Sequence, residues 1–219
     1  MLETWDFLDS PAAGAAFNMA LDEALLRTAV KRGRPLVRFY SWEKPAITFG
    51  YFQKFPVNLA NGHEVVRRPT GGGVVYHVAD TTYTVVVPPA HAFSLMATMD
   101  AYCLLHKAVA ASVETQTELH AAEVHSPRGQ YECFQQPVRG DVVADGRKLA
   151  GGAQRRTKSG MLHQGSIDAK IPIEQLKRGF QETLGIVFEE YSLTDSDCAA
   201  AEKLVVEKYA ADTWNRYLR

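Results

Sequence analysis

Cysteine is scarce in this chain of 219 residues: there are three, Cys103, Cys133 and Cys198, an odd and widely spaced set. That pattern excludes a disulfide framework and fits reduced thiols. No apolar run approaches the roughly 20 residues needed to span a bilayer. Met1-Leu2-Glu3-Thr4-Trp5-Asp6 lacks the basic segment and apolar core of a secretory leader. A cytoplasmic location without membrane contact is expected. Charge of neither sign dominates: Lys and Arg number 24, Asp and Glu 25, for a net charge of -1. No broad basic footprint therefore points to nucleic acid. No His and Cys fall at metal-ligand spacing, so no metal is expected. Internal repeats, long linkers and low-complexity segments are also missing. A single domain spanning 1–219 is expected.

What the chain does have is 46% hydrophobic content, enough for one sizeable core. Phe17, Leu21, Ala24, Leu25 and Ala29 recur at helical spacing, which predicts an amphipathic helix over 16–31, ended near Gly33 and Pro35. Residues 36–40 and 46–49 read as strands across a Trp-Glu-Lys-Pro turn, and 65–67 and 82–87 as further strands. Ser94 opens a second predicted helix, with Leu95, Met99, Tyr102, His106, Val109 and Val113 about one turn apart. Asp145-Gly146 marks a hairpin between 141–144 and 148–150. Residues 161–167 read as a strand, and 173–184 and 195–209 as helices.

Two glycine-rich patches stand out from this framework. The first is Arg67-Arg68-Pro69-Thr70-Gly71-Gly72-Gly73-Val74-Val75-Tyr76-His77. Three adjacent glycines remove every Cβ, so a ligand can lie directly on the backbone. The second is Gly146-Arg147-Lys148-Leu149-Ala150-Gly151-Gly152-Ala153-Gln154, where Lys148 is flanked by a turn and two more glycines. Upstream, Glu132-Cys133-Phe134 sits in a segment with neither helical nor strand pattern. Cys103, beside an apolar stripe, and Cys198, in an alanine-rich helix, read as structural.

These motifs resemble the lipoate–protein ligase and octanoyltransferase family. The likeness rests on Arg-Arg-x-Thr-Gly-Gly-Gly-x-Val-x-His at 67–77, Gly-Arg-Lys-x-Ala-Gly-x-Ala-Gln at 146–154 and Leu-His-x-Gly-Ser-Ile at 162–167. Asn18-Met19-Ala20-Leu21-Asp22-Glu23, Gly50-Tyr51-Phe52-Gln53 and Trp214-Asn215 extend it over nearly the whole chain. The resemblance implies an α+β fold, a mixed β-sheet flanked by helices, shared with biotin protein ligases. It implies a tunnel for a medium-chain acyl group. Arg67, Arg68, Thr70, Gly71, Gly72, Gly73, His77, Gly151, Gly152, Ala153, His163 and Gly165 are the expected acyl- and substrate-binding residues. His163 is expected to shape the pocket rather than carry protons.

The family divides by chemistry. Its ligases activate a free acid with ATP and Mg, through an acyl-adenylate, and many carry a C-terminal accessory domain. No such domain is expected here. Its transferases take an acyl thioester and need no cofactor. Cys133, in a Cys-Phe-x-x-Pro loop fifteen residues before Lys148, resembles the nucleophile of the octanoyltransferases related to ligases by sequence. Cys133 and Lys148 are thus the expected catalytic residues, with a lysine ammonium favouring the thiolate. An ATP-dependent lipoate–protein ligase is the alternative. The implied partners are an acyl carrier protein as donor and lipoyl-domain proteins, such as the glycine cleavage H protein or 2-oxoacid dehydrogenase E2 subunits, as acceptors. The basic cluster of Arg139, Arg147, Arg155, Arg156 and Lys158 suits an acidic protein partner.

Overall fold

Strands rich in β-branched and aromatic residues organise the molecule. The computed structural model describes residues 2–59, 62–122 and 136–217. In chain order the elements begin with β1 (Glu3–Asp9), α1 (Ala15–Arg27), α2 (Ala29–Arg32), β2 (Leu36–Tyr40) and β3 (Ala46–Phe49). Then come β4 (Glu64–Arg67), β5 (Val74–His77), β6 (Thr81–Val87), α3 (Ala92–Leu95) and α4 (Thr98–Ala111). After these follow β7 (Glu118–Leu119), β8 (Val142–Ala144), β9 (Arg147–Thr157), β10 (Gly160–Ile167), α5 (Ile173–Leu184), β11 (Ile186–Glu190), α6 (Asp195–Leu204) and α7 (Asp212–Asn215). The result is the expected mixed sheet flanked by helices. Among the described residues, no helix is long and apolar enough to cross a membrane.

Eight strands form the large sheet, in the order β11-β1-β2-β6-β10-β9-β8-β7, and three form a small one, β4-β3-β5. The pairs β1–β11, β1–β2 and β3–β4 are parallel; the others are antiparallel. On one face of the large sheet, Phe7, Phe39, Val85 and Met161 pack with Leu105 of α4 and Phe180 of α5. On the other face, Leu8, Leu36, Val86 and Leu162 pack with Leu21 and Leu25 of α1 and Leu204 of α6. Ile47, Phe49 and Val74 give the small sheet its own core.

Most predicted elements form where the pattern puts them. The Asp145-Gly146 turn closes β8 on β9, both residues at positive φ. The helix expected from Ser94 differs. Ser94 lies inside the short α3, whose N-terminus is capped by the His91 ring accepting the Phe93 N–H. Met96 and Ala97 are extended, and the long helix starts at Thr98. Leu95 and Met99 are consequently exposed, and the buried stripe begins at Ala101 and Tyr102.

A buried charge network ties α1 to the large sheet. The Arg38 guanidinium donates to Asp22 Oδ1 at 2.7 Å, and neither side chain is exposed to solvent. Asp22 Oδ2 accepts from Thr84 Oγ1, Gln164 Nε2 and Tyr40 Oη. Asp22→Ala should destabilise the protein by about 3–5 kcal/mol, because it strands Arg38 as a buried, uncompensated charge. Urea unfolding at neutral pH checks this; a loss below about 1 kcal/mol would mean that water reaches the arginine.

Candidate active site

The glycine-rich strands and the small sheet face one another across a narrow groove. Thr48 of β3, Arg68, and Val75 and His77 of β5 form one wall; Gly151, Gly152 and Ala153 of β9 form another. Met19 of α1, Tyr40 of β2, Trp42, Thr82 of β6, and Gln164, Gly165 and Ser166 of β10 complete the lining. The groove is narrow, with a cavity of only about 40 Å³ between its walls. Its lining is largely apolar or backbone, which suits an unbranched acyl chain worth about 0.8 kcal/mol per buried methylene.

The first glycine run is held from beneath by Arg68. Its guanidinium donates to Gly71 O, Gly73 O and Thr48 Oγ1. Gly72 has φ +89°, in the left-handed region, and a Cβ there would stand 2.6 Å from Arg68 Nη2. A Cβ on Gly71 meets nothing within 4 Å. Thr70 donates to Gln164 Oε1 at 2.7 Å, pinning the loop to β10.

Arg67 departs from expectation. Its guanidinium donates to the carbonyls of Tyr51, Gln53, Trp214, Asn215 and Tyr217, outside the acyl groove. Side chains alternate across the end of β4, so of Arg67 and the residue after the strand, Arg68, one clamps the C-terminal segment and the other faces the groove. Trp214 answers by donating its indole N–H to Arg67 O.

His77 closes one part of the groove. Its Nδ1 lies 2.7 Å from Asp80 Oδ2 and its Nε2 2.8 Å from Thr48 Oγ1. Asp80 also accepts from Thr82 and Ser166. Burial of the Asp80 carboxylate opposes ionisation, but hydrogen bonds from His77, Ser166 and Thr82 outweigh it and keep its pKa below the usual value. Burial lowers the His77 pKa despite Asp80. The donors and acceptors close with a neutral ring: Nδ1–H to Asp80, and Nε2 accepting from Thr48. Trp42 stacks on this imidazole with centroids 4.0 Å apart and donates to Thr82 Oγ1. Trp42 and Thr48 are groove residues outside the motifs, while Met19 and Gln164 lie within motif stretches that did not mark them as groove residues. Asp80, three residues after His77, carried a faint signal as a carboxylate within reach of a histidine.

His163 lies behind the wall, on the α4 face of the large sheet. A Cβ on Gly152 would stand 2.6 Å from His163 Nε2, so the glycine makes room for the ring. The ring stacks with Tyr83 and meets its hydroxyl at 3.1 Å. Beside it, His106 Nδ1 donates to Gly140 O at 2.6 Å. The Gly152 N–H is engaged by the Tyr102 hydroxyl at 3.0 Å, so this amide does not serve the acyl carbonyl.

Burial pushes both imidazoles toward neutrality, His106 down to about 4 and His163 well below the ordinary histidine value. In the unfolded chain His106 binds its proton near pH 6.5, in the folded chain only near 4. The unfolded state therefore holds more protons between those limits, and stability falls as pH drops through that window. The loss approaches about 3 kcal/mol at most from this one residue. His106→Asn, which keeps a donor for Gly140 O, should flatten the fall in the urea midpoint between pH 6.5 and 4. An unchanged slope would assign the acid lability elsewhere.

Lys148 is buried, and its Nζ lies 2.7 Å from Asp141 Oδ2. A Cβ on Gly151 would stand 2.5 Å from Lys148 Cε and 2.6 Å from its Nζ, so the ammonium packs in the place of that missing side chain, against a residue of the groove lining. Asp141 is another residue that motif reading missed. Cys133 lies outside the described residues, while Cys103 and Cys198 are free thiols. In the basic cluster, Arg155 donates to Pro69 O and Arg156 to Ser94 O.

Comparison with known proteins identifies the family. The lipoyl protein ligase A/B catalytic domain model matches residues 14–189. The octanoyltransferase LipM of Geobacillus kaustophilus is 34% identical, covering 97% of this chain and 98% of the relative. Octanoyltransferase LipM of Bacillus subtilis is 31% identical over the same shares. In fold, the chain is similar to a putative lipoate protein ligase from T. acidophilum, with a TM-score of 0.81 at 24% identity over 98% of this chain and 100% of the other. It is also similar to a lipoate-protein ligase A bound with ATP, with a TM-score of 0.79 at 24% identity over 99% of each chain. By its motifs, its sheet topology and these matches, the chain belongs to the lipoyl protein ligase A/B catalytic-domain family.

Proposed function

We propose that this protein is an acyltransferase that moves an octanoyl group from a carrier-protein thioester to a lysine of a lipoyl-domain protein. The observation that carries the reading is the glycine-walled apolar groove with the Lys148 ammonium packed against Gly151 of its lining. The similarity to proteins named octanoyltransferase, spanning nearly the full length of both chains, supports it.

In this reading the octanoyl chain lies in the groove, where eight carbons contribute several kcal/mol of binding at about 0.8 kcal/mol per methylene. The Cys133 thiolate attacks the thioester carbonyl; the carrier's thiolate leaves and takes up a proton. The amine of the acceptor lysine then attacks the acyl-enzyme, forming the amide, and Cys133 departs as the thiolate. Forming an amide from a thioester is downhill, so the proposed route uses no nucleotide or other cofactor. Splitting the transfer into two acyl exchanges is the logic of covalent catalysis. Acyl carrier protein is the proposed donor. The glycine cleavage H protein and the E2 subunits of 2-oxoacid dehydrogenases are the proposed acceptors. The basic residues Arg139, Arg147 and Lys158 would raise their encounter rate.

Intact-mass measurement tests the proposal. Incubation with octanoyl-carrier protein should add one octanoyl group that hydroxylamine removes, and a lipoyl domain should then receive it. Pyrophosphate release from ATP with free lipoate, without such an adduct, would establish the ligase chemistry instead.

A further inference from the structure

We propose that Asp141, supported by Tyr102, is the positioning residue that holds the Lys148 ammonium against Gly151 of the groove lining. The inference rests on the transferase reading of that groove and adds to it a carboxylate and a phenol that no motif contains.

Geometry carries it. Asp141 and Lys148 are seven positions apart, Asp141 just before β8 and Lys148 the second residue of β9. A register shift places Val143 opposite Lys148 but Val142 opposite Ala150, so Leu149 is an extra residue in β9. A bulge of this kind re-aims the neighbouring side chain. Lys148 thereby reaches Asp141 at 2.7 Å with only 2% of its side chain exposed, and Asp141 has none exposed. Asp141 is itself fixed twice more. Its Oδ2 accepts the Val138 N–H at 2.7 Å, and its Oδ1 accepts the Tyr102 hydroxyl at 2.6 Å. The Tyr102 oxygen accepts the Gly152 N–H, so one phenol joins the carboxylate to the glycine strand that walls the groove.

Two consequences follow from this arrangement. First, the contact with Asp141 fixes the direction of the Lys148 Nζ, so Lys148 can act on a neighbouring thiol or acyl carbonyl through directed N–H donors. Second, a buried ammonium deprived of its carboxylate loses proton affinity. Among the described residues, the titratable groups around Lys148 are Asp141 and, from α4, Tyr102 and His106, with His163 and Tyr83 stacked behind them. Neither imidazole is charged at neutral pH, for the reasons given above.

The test compares wild type, Asp141→Asn and Tyr102→Phe in octanoyl transfer and, separately, in the acetylation of Lys148 by acetic anhydride, followed by mass spectrometry across pH. Asp141→Asn should lower kcat by about 100-fold, the scale of a displaced catalytic group. It should change KM for octanoyl-carrier protein by less than about threefold, because acyl burial is untouched. Its Lys148 acetylation midpoint should move at least about one pH unit lower. Tyr102→Phe, which keeps both charges, should lower kcat by about tenfold and move the midpoint the same way by less. A folded Asp141→Asn protein with wild-type kcat and acetylation curve would overturn the proposal. If that variant does not fold, unchanged kcat and acetylation in Tyr102→Phe would overturn it. Wild-type protein that transfers no octanoyl group would instead overturn the transferase reading, while the acetylation curves still report on the pair.

Discussion

Cys133→Ala should abolish octanoyl transfer, by at least about 10³-fold, while the thermal unfolding midpoint stays at the wild-type value. The expectation comes from sequence. Cys133 stands fifteen residues before Lys148 in a Cys-Phe-x-x-Pro segment, and Cys103 and Cys198 occur on helices. Removing a nucleophile eliminates the acyl-enzyme and leaves only direct aminolysis of the bound thioester. Intact mass gives a second readout: the hydroxylamine-labile octanoyl adduct should vanish. Cys103→Ala and Cys198→Ala should leave transfer within about twofold of wild type, since surface and helix thiols without an activating neighbour are inert. Near wild-type transfer by Cys133→Ala would sink the covalent mechanism and promote the ATP-dependent chemistry.

Gly72→Val should damage both stability and acyl binding. Its φ of +89° is one that a β-branched residue does not adopt without strain, at a cost on the order of 1–3 kcal/mol. The new side chain would also press on Arg68, whose guanidinium holds Gly71 O, Gly73 O and Thr48 Oγ1. The structure thus refines the simplest expectation, a valine projecting into the groove: the damage passes through Arg68, which forms part of the wall. KM for the octanoyl donor should rise at least about tenfold, equivalent to about 1.4 kcal/mol of lost binding. Gly71→Ala is the control, because a Cβ there meets nothing within 4 Å; it should bind the donor normally. Normal binding in Gly72→Val despite a lowered melting temperature would show that the glycine serves the backbone alone.

Much of the local structure was legible along the chain. Residues 36–40, 46–49 and 161–167 carry strand composition and form strands, and Asp145-Gly146 turns the chain as its residue types require. These features depend on neighbours within one or two turns, where steric preference and periodicity act directly. The start of α4 was less legible, because the His91 ring caps a separate short helix before it. Strands β1 and β11 were not legible at all. They pair in parallel across some 180 residues, Glu3 with Ile186, and no local pattern encodes a partner so distant.

The site divides along the same line. Sequence alone determined the glycine runs, the presence of His77 and Lys148, and the family, because three motifs in fixed order are a property of the chain itself. Tertiary structure decided what each side chain does, because a residue's role depends on which sheet face it meets. Arg67 and Arg68 are neighbours in sequence, yet one clamps the C-terminal segment and the other supports the glycine loop. His163 and Gln164 are neighbours too, yet the histidine packs behind the wall and the glutamine lines the groove. Alternation along a strand sends successive side chains to opposite faces, but only the packing of α1, α4 and the small sheet determines which face is the groove. The Asp141–Lys148 pair belongs to that second class, since a one-residue bulge and a phenol from a distant helix bring it together.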